Sequence, residues 1–356
     1  MKIQSCYIVA ALSLAEIVLP ADAQTQVQTP PATNPTPPPG MLPYVAILDP
    51  QFVPASDASF LQDDYIVLGV ARGSIAKAYP APDLAQHGSV NDQMPDGPIE
   101  VTWCGVCNTG AVFRAQIKGR LLHFDYDSMV GGNEVHKDRE TGSRWQQSTG
   151  EAIFGPLKGS FLELYPFVRT TWKEWRRRYP TTVVLKPLPG YDERMPNLSK
   201  VEKRNMSGEG EAPKTAFGHD DRLRPREVVA GLRVGPEEKA FPFSQLRIVR
   251  VVNDRVGGAP VLVIHQPSSD TTTAFEAHAK GKVLRFQAAD ADASSLTDLE
   301  THSSWNAYGL CLEGPLKGTQ LKTLILSPEF WFAWSQFHPQ TKVFTASNTR
   351  SSEGSR

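Results

Sequence analysis

Gly155-Pro156-Leu157-Lys158-Gly159 recurs unchanged as Gly314-Pro315-Leu316-Lys317-Gly318. Working outward, Asp138-Arg139-Glu140-Thr141-Gly142-Ser143-Arg144-Trp145 is echoed by Asp298-Leu299-Glu300-Thr301-His302-Ser303-Ser304-Trp305. Val90-Asn91-Asp92 is answered by Val252-Asn253-Asp254. The three anchors keep their order and lie roughly 160 residues apart, as expected of two copies of one unit. One difference stands out. A strand-like run ends in Cys104-Gly105-Val106-Cys107, where the second copy reads Gln266-Pro267-Ser268-Ser269. Shared residues are expected to specify the fold, and unshared ones to carry any chemistry.

The strands are short and Gly/Pro turns dominate. Asp64 to Arg72 and Ala76 to Tyr79 read as extended. Ile99 to Trp103 and Ala111 to Ile117 flank the cysteines, and after a Lys118-Gly119 turn Arg120 to Tyr126 closes a hairpin. The second copy repeats this with Pro260 to His265, Thr273 to Ala279 and Lys282 to Gln287. One helix is expected per copy. Thr171-Trp172-Lys173-Glu174 has capping-box spacing and starts a helix that runs to Pro180. Ser327-Pro328 starts the other, which ends near Pro339. The expected class is α+β, mainly β: two homologous antiparallel-sheet units, each with a C-terminal packed helix.

A chain of 356 residues suits two domains. A net charge of −1 gives no electrostatic reason to expect nucleic acid or an anionic membrane as partner. Residues 1–23 read as a signal peptide: Lys2, an apolar stretch from Ile8 to Leu19, and Ala21-Asp22-Ala23 before Gln24. That stretch is short for a membrane span, and an uncleaved anchor is the alternative reading. Residues 24–42, with six prolines, form an extended tether. The first unit then occupies 43–186, a linker 187–226, the second unit 227–346, and a disordered tail 347–356. The mature protein is expected to be periplasmic or secreted, with no transmembrane span after cleavage.

Cys104-x-x-Cys107 is the main chemical signal. Two cysteines at this spacing close a disulfide for redox exchange or present thiolates to one soft metal, copper or zinc. His87 and His136 are the candidate added donors, with His123 and Met129 as weaker ones. Asn108 occupies the position where a c-type haem motif needs histidine, and no second cysteine pair makes a zinc ribbon. Cys311, between Leu310 and Leu312, reads as a buried small hydrophobe. Asn91, Asp92, Asp138, Arg139 and Thr141 form a polar set. Most of it reappears in the copy without the cysteine pair, so it suits side-chain ties to turns.

With these residues in hand, residues 64–186 resemble a bacterial family called domain of unknown function 3179. The resemblance rests on His87, Val90, Asn91, Asp92, Cys104, Cys107, Asn133, Asp138, Arg139, Thr141, Ser143, Trp145, Gly155, Leu157 and Gly159. It adds Asn133 to the polar loop. Similar proteins often read Cys-Pro-Leu-Cys where this chain has Gly105 and Val106. They also carry a longer loop where Asn133-Glu134-Val135-His136-Lys137 stands here. The resemblance implies fold and location more than mechanism. Two functions remain: a thiol site exchanging with a small molecule, metal donor or periplasmic protein, and a non-enzymatic scaffold whose cysteine pair is a structural disulfide. In the second, the aromatic helix faces or the cleft between units bind the partner. A hydrolase lacks a nucleophile elbow.

Overall fold

Ile66-Val67-Leu68-Gly69-Val70-Ala71-Arg72 is rich in branched apolar residues, which fit a pleated surface buried on both faces. The computed structural model describes residues 44–346, apart from 207, 209, 215, 217 and 219. The expected signal peptide, tether and tail therefore lie outside the described residues. Ile66–Arg72 forms a hairpin with Ile75–Pro80, and the sheet is completed by Val168–Thr171 on one side and by Val183–Leu185 and Phe52–Pro54 on the other. A short helix, Ala81–His87, leads into a meander of Ser89–Met94, Gly97–Cys104 and Thr109–Arg114. A third sheet stacks Phe124–Val130, Asn133–Asp138, Arg144–Gln146 and Ala152–Phe154 in antiparallel order.

The C-terminal half runs through the same succession. Val228–Val234 pairs with Glu237–Pro242, helix Phe243–Val249 follows, and then the strands Val251–Val256, Ala259–Gln266 and Thr271–Glu276. Among the described residues the fold is mainly β, with mostly antiparallel sheets and five α-helices.

The glycine of each leading strand shows how the helices seat. A Cβ on Gly69 would sit 2.2 Å from the Trp175 indole, and one on Gly231 would sit 2.2 Å from that of Trp334. Only a bare backbone lets the rings lie this close to the strands. The first helix, Trp172–Arg178, begins as expected, with Thr171 accepting from the Glu174 amide. The other does not begin at Ser327. Leu326–Phe330 is a strand pairing with Val228–Val234, and the helix spans Trp331–Phe337. Pro328 is tolerated because this strand lies at the edge of its sheet.

Residues 187–226 are more than a connection. They contain helix Met195–Asn205, which packs against helix Ala81–His87. The two halves touch directly. Thr170 Oγ1 lies 2.7 Å from Thr271 Oγ1, and the Phe330 amide donates to the Cys107 carbonyl at 3.0 Å. Among the described residues, no helix is long and apolar enough to cross a membrane.

Candidate functional site

The strand Gly97–Cys104 sorts its residues by alternation. Ile99, Val101 and Trp103 enter the apolar core of the N-terminal half. Glu100, Thr102 and Cys104 take the other face and are equally buried. Cys104 and Cys107 are joined by a disulfide, and both are fully covered. They pack into a cluster dominated by the C-terminal half, including Val228, Phe330, Phe332 and Ala333. Only the tip of the turn, Gly105 and Val106, is exposed. Each sulfur accepts one N–H: the Cys107 amide reaches Cys104 Sγ at 3.2 Å, and Asn133 Nδ2 reaches Cys107 Sγ at 3.3 Å.

The corresponding turn of the C-terminal half has the same shape without sulfur. Asn108 holds a positive φ of 54° and Asp270 one of 51°. There the turn closes through Ser269, whose amide donates to the Gln266 carbonyl at 3.3 Å and whose hydroxyl meets Thr271 Oγ1 at 2.7 Å. The backbone path therefore does not require a disulfide.

From Asn133 a buried polar network runs in two directions. Asn133 Nδ2 also donates to Thr109 Oγ1 at 2.9 Å, and its Oδ1 accepts from Gln146 Nε2 at 2.9 Å and the Ser148 amide at 3.2 Å. The Ser148 hydroxyl lies 2.9 Å from both oxygens of Glu329, which comes from the other half. Glu329 is completely buried, and burial pushes its carboxyl up to about 8, against the pull of Ser148 and Thr109. In the other direction, Gln147 bridges the Thr109 carbonyl to Thr102 Oγ1, which faces His136 Nε2 at 3.2 Å. His136 Nδ1 meets Glu100 at 2.5 Å, and its Nε2 meets Glu134 at 3.2 Å. Ser89 adds a bond to Glu100 at 3.0 Å. Burial pulls the His136 imidazole down, but the charge and hydrogen bond of Glu100, aided by Glu134, outweigh it and hold the cation to about 10.

Burying three carboxylates and an imidazole is costly unless they are paired. The C-terminal half avoids that cost. Where Ser89, Glu100, Thr102 and His136 stand, it has Val251, Leu262, Ile264 and Leu296, of which the last three are fully buried in an apolar cluster.

Of the residues expected from the sequence, Cys104, Cys107, Asn133 and His136 are joined through this network. The others are not. His87 places Nδ1 2.8 Å from the Val45 carbonyl, Nε2 3.5 Å from Asp83, and its ring against Tyr191. His123 pairs with Glu140 at 2.7 Å. Met129 packs partly buried on the cysteine cluster, and Cys311 is a buried free thiol. Among the described residues, no group of three or more His, Cys, Asp or Glu side chains is arranged to hold a metal ion.

The polar set serves the fold twice over. Asn91 clamps the Phe124 backbone with bonds of 3.0 and 2.7 Å, as Asn253 clamps Phe286 at 2.8 and 2.8 Å. Asp92 pairs with Lys77 at 2.7 Å, and Asp254 with Lys239 at 2.6 Å. Asp138 accepts from the Thr141 amide, the Thr141 hydroxyl and Trp145 Nε1, and Asp298 repeats all three with Thr301 and Trp305. Arg139 reaches Asp125 on the surface. Replacing either aspartate by alanine strands a buried indole N–H and a turn amide. Asp138→Ala and Asp298→Ala are each expected to cost about 2–3 kcal/mol in urea unfolding, with the disulfide unaffected. A large difference between the two variants would contradict the shared structural role.

Residues 42–341 match the family described as "Protein of unknown function (DUF3179)". The chain belongs to this family. The DUF3179 match runs well beyond residues 64–186 and takes in both halves, including the strand that supplies Glu329. No curated protein matches the chain. No solved structure matches it either. Within this DUF3179 chain, sequence reading passed over Glu100, Thr102, Glu134, Gln146, Gln147, Ser148 and Glu329. A usable signal existed for two of them: Glu100 and Thr102 alternate with Ile99, Val101 and Trp103, whereas the matching positions 262 and 264 are apolar.

Proposed function

We propose that this is an exported protein, periplasmic or secreted, whose N-terminal half carries a thiol–disulfide redox site at Cys104 and Cys107. In this reading the two halves, 43–186 and 227–346, descend from one duplicated unit, with 187–226 between them. One observation carries the redox reading. A turn that its counterpart closes with Ser269 is closed here by two sulfurs, and Asn133 wires one of them to buried acids and an imidazole. A scaffold needs neither. The site would work with an external thiol or disulfide, from a small molecule or a periplasmic protein. Copper or zinc binding is less well supported, because His87 and His136 would both have to leave existing partners.

The full burial of both sulfurs favours a second reading, a structural bridge that pins the turn beneath Phe330. Equilibration with dithiol buffers separates the two. A pair that titrates reversibly, with a potential above about −300 mV, is a redox site, and one below that is an inert bridge. Cys104→Ser and Cys107→Ser supply the baselines for thiol counting. Metal analysis of the reduced protein against the same variants tests copper and zinc.

A further inference from the structure

We infer that a cavity between the two halves binds a small carboxylate with a compact apolar body, recognised by Arg178. This does not depend on the redox reading, because none of the residues lining the cavity belongs to the polar network around Asn133. The cavity holds about 140 Å³ and lies where Val168–Thr171 packs beside Thr271–Glu276. Its walls follow from the fold. Trp175 reaches it because bare Gly69 lets the indole come close to the leading strand, and Phe167, Phe275, Leu324 and Leu326 complete an apolar lining. Volume sets the size of the occupant. An apolar cavity of roughly 150 Å³ takes one benzene ring, so the body is a single ring or a short branched chain.

Charge sets its chemistry. Among the described residues that line the cavity, Arg178 is the only charged one. It ends the run Arg176-Arg177-Arg178 and differs from its neighbours. Arg176 pairs with Asp63 at 2.6 Å and Arg177 with Glu174 at 2.7 Å, whereas no acid among the described residues pairs with Arg178. Its guanidinium stacks instead on the Tyr308 ring, 3.3 Å from the centroid, and lies 5.1 Å from that of Tyr179. Tyr308 is itself fixed, since its hydroxyl bonds Glu174 at 2.7 Å. The rings hold the guanidinium plane and leave its N–H edge open, a fork that matches a carboxylate. The hydroxyls of the lining strand are already partnered: Thr272 meets His265 at 2.9 Å, and Thr273 donates to the Ala307 carbonyl at 2.8 Å. An apolar chamber with one convergent cation is the pattern of a small-acid site.

The matching place in the C-terminal half lacks this combination. Trp334 sits on Gly231 as Trp175 sits on Gly69, yet three residues further on stands Phe337 where the first helix has Arg178. Likewise Tyr308 comes three residues after Trp305, but Ser148 comes three after Trp145 and turns to Glu329. The same glycine–tryptophan seat and the same strand order therefore form without the arginine or the tyrosine.

Isothermal titration of the folded full-length chain with benzoate and with 4-methylpentanoate tests this. Each acid should bind one to one with a dissociation constant of about 1 mM or tighter, the range open to a ligand of roughly nine non-hydrogen atoms. Benzamide, neutral and of the same shape, should bind about tenfold more weakly, and the cation benzylamine not at all. Arg178→Gln should weaken benzoate by about tenfold, as expected for a lost charge-assisted hydrogen bond, and leave benzamide unchanged. Arg178→Lys keeps the charge without the fork and should fall between; it serves where the glutamine variant fails to fold. Leu324→Trp, or Ala71→Leu where that variant does not fold, fills the cavity and should abolish binding of both. Failure of both acids to bind well above that constant overturns the proposal. So does benzamide that binds as well as benzoate, or benzoate binding that the Arg178 variants leave intact.

Discussion

His136→Leu is expected to destabilise the protein by about 3–5 kcal/mol, the range for removing one partner of a buried ion pair. The substitution adds apolar volume in a buried site, yet it leaves Glu100 and Glu134 facing each other without the imidazolium that meets both. Each is at most 5% exposed, so water cannot replace the lost charge. The opposite result is expected when the whole group is exchanged for its counterpart. Ser89→Val, Glu100→Leu, Thr102→Ile, Glu134→Ser and His136→Leu together copy Val251, Leu262, Ile264, Ser294 and Leu296. This fivefold variant should recover most of the loss and reach or exceed wild-type stability, since apolar replacement of a buried ionic group is often neutral or stabilising. These side chains touch one another, so their effects are not additive. Urea unfolding of both variants checks this. A mild single variant would mean that the two carboxylates do not depend on the imidazolium, and a fivefold variant as weak as the single would mean that the network supports the fold rather than a function.

That contrast explains what was legible in the chain. The Asp-x-x-Thr-x-Ser-x-Trp ties could be read because their partners lie within seven residues, as in Asp138 to Trp145. The strands could be read from alternation, which is equally local. Ser327-Pro328 misled because proline suits a helix start and an edge strand alike. What decides is pairing with Val228–Val234, about a hundred residues upstream. The site suffered most from such distance. Ser148 and Glu329 are 181 residues apart in sequence, and Glu100 and His136 are 36 apart. His136 drew attention as a soft-metal donor because histidine is versatile; its partners turned out to be carboxylates, Glu134 on its own strand and Glu100 on a strand of another sheet. The cysteine pair itself was visible, but its burial under Phe330 depends on contact with the other half.

The same buried groups set an unusual dependence of stability on pH. Glu329 titrates at about 8 in the folded protein, against 4.5 for an ordinary glutamate, so between these values the folded state holds a proton that the unfolded chain has released. Its stabilising contribution is complete below 4.5 and is lost as pH rises through 8. His136 behaves alike, with stability present below 6.5 and lost as pH rises through about 10. Glu134, also raised by burial, adds in the same direction. His265 opposes them, since burial lowers it to about 4 and its contribution grows between there and 6.5. His338, lowered by burial too, acts in the same sense as His265. Above 6.5 the opposition has ended, and the first two groups act unchecked. Each proton is worth about 1.4 kcal/mol per pH unit, so the summed loss from neutral to pH 10 is of the order of several kcal/mol, comparable with the whole stability of an ordinary domain. The protein is therefore expected to be most stable near pH 6 and to unfold in mild alkali. Denaturant midpoints at pH 6, 7, 8 and 9 measure the slope. Glu329→Gln should roughly halve it between pH 6.5 and 8 and leave the segment above 8 to His136. A stability that holds level up to pH 9, or a slope that the glutamine variant does not change, would show that water reaches these side chains and that the acid beside the disulfide is an ordinary carboxylate.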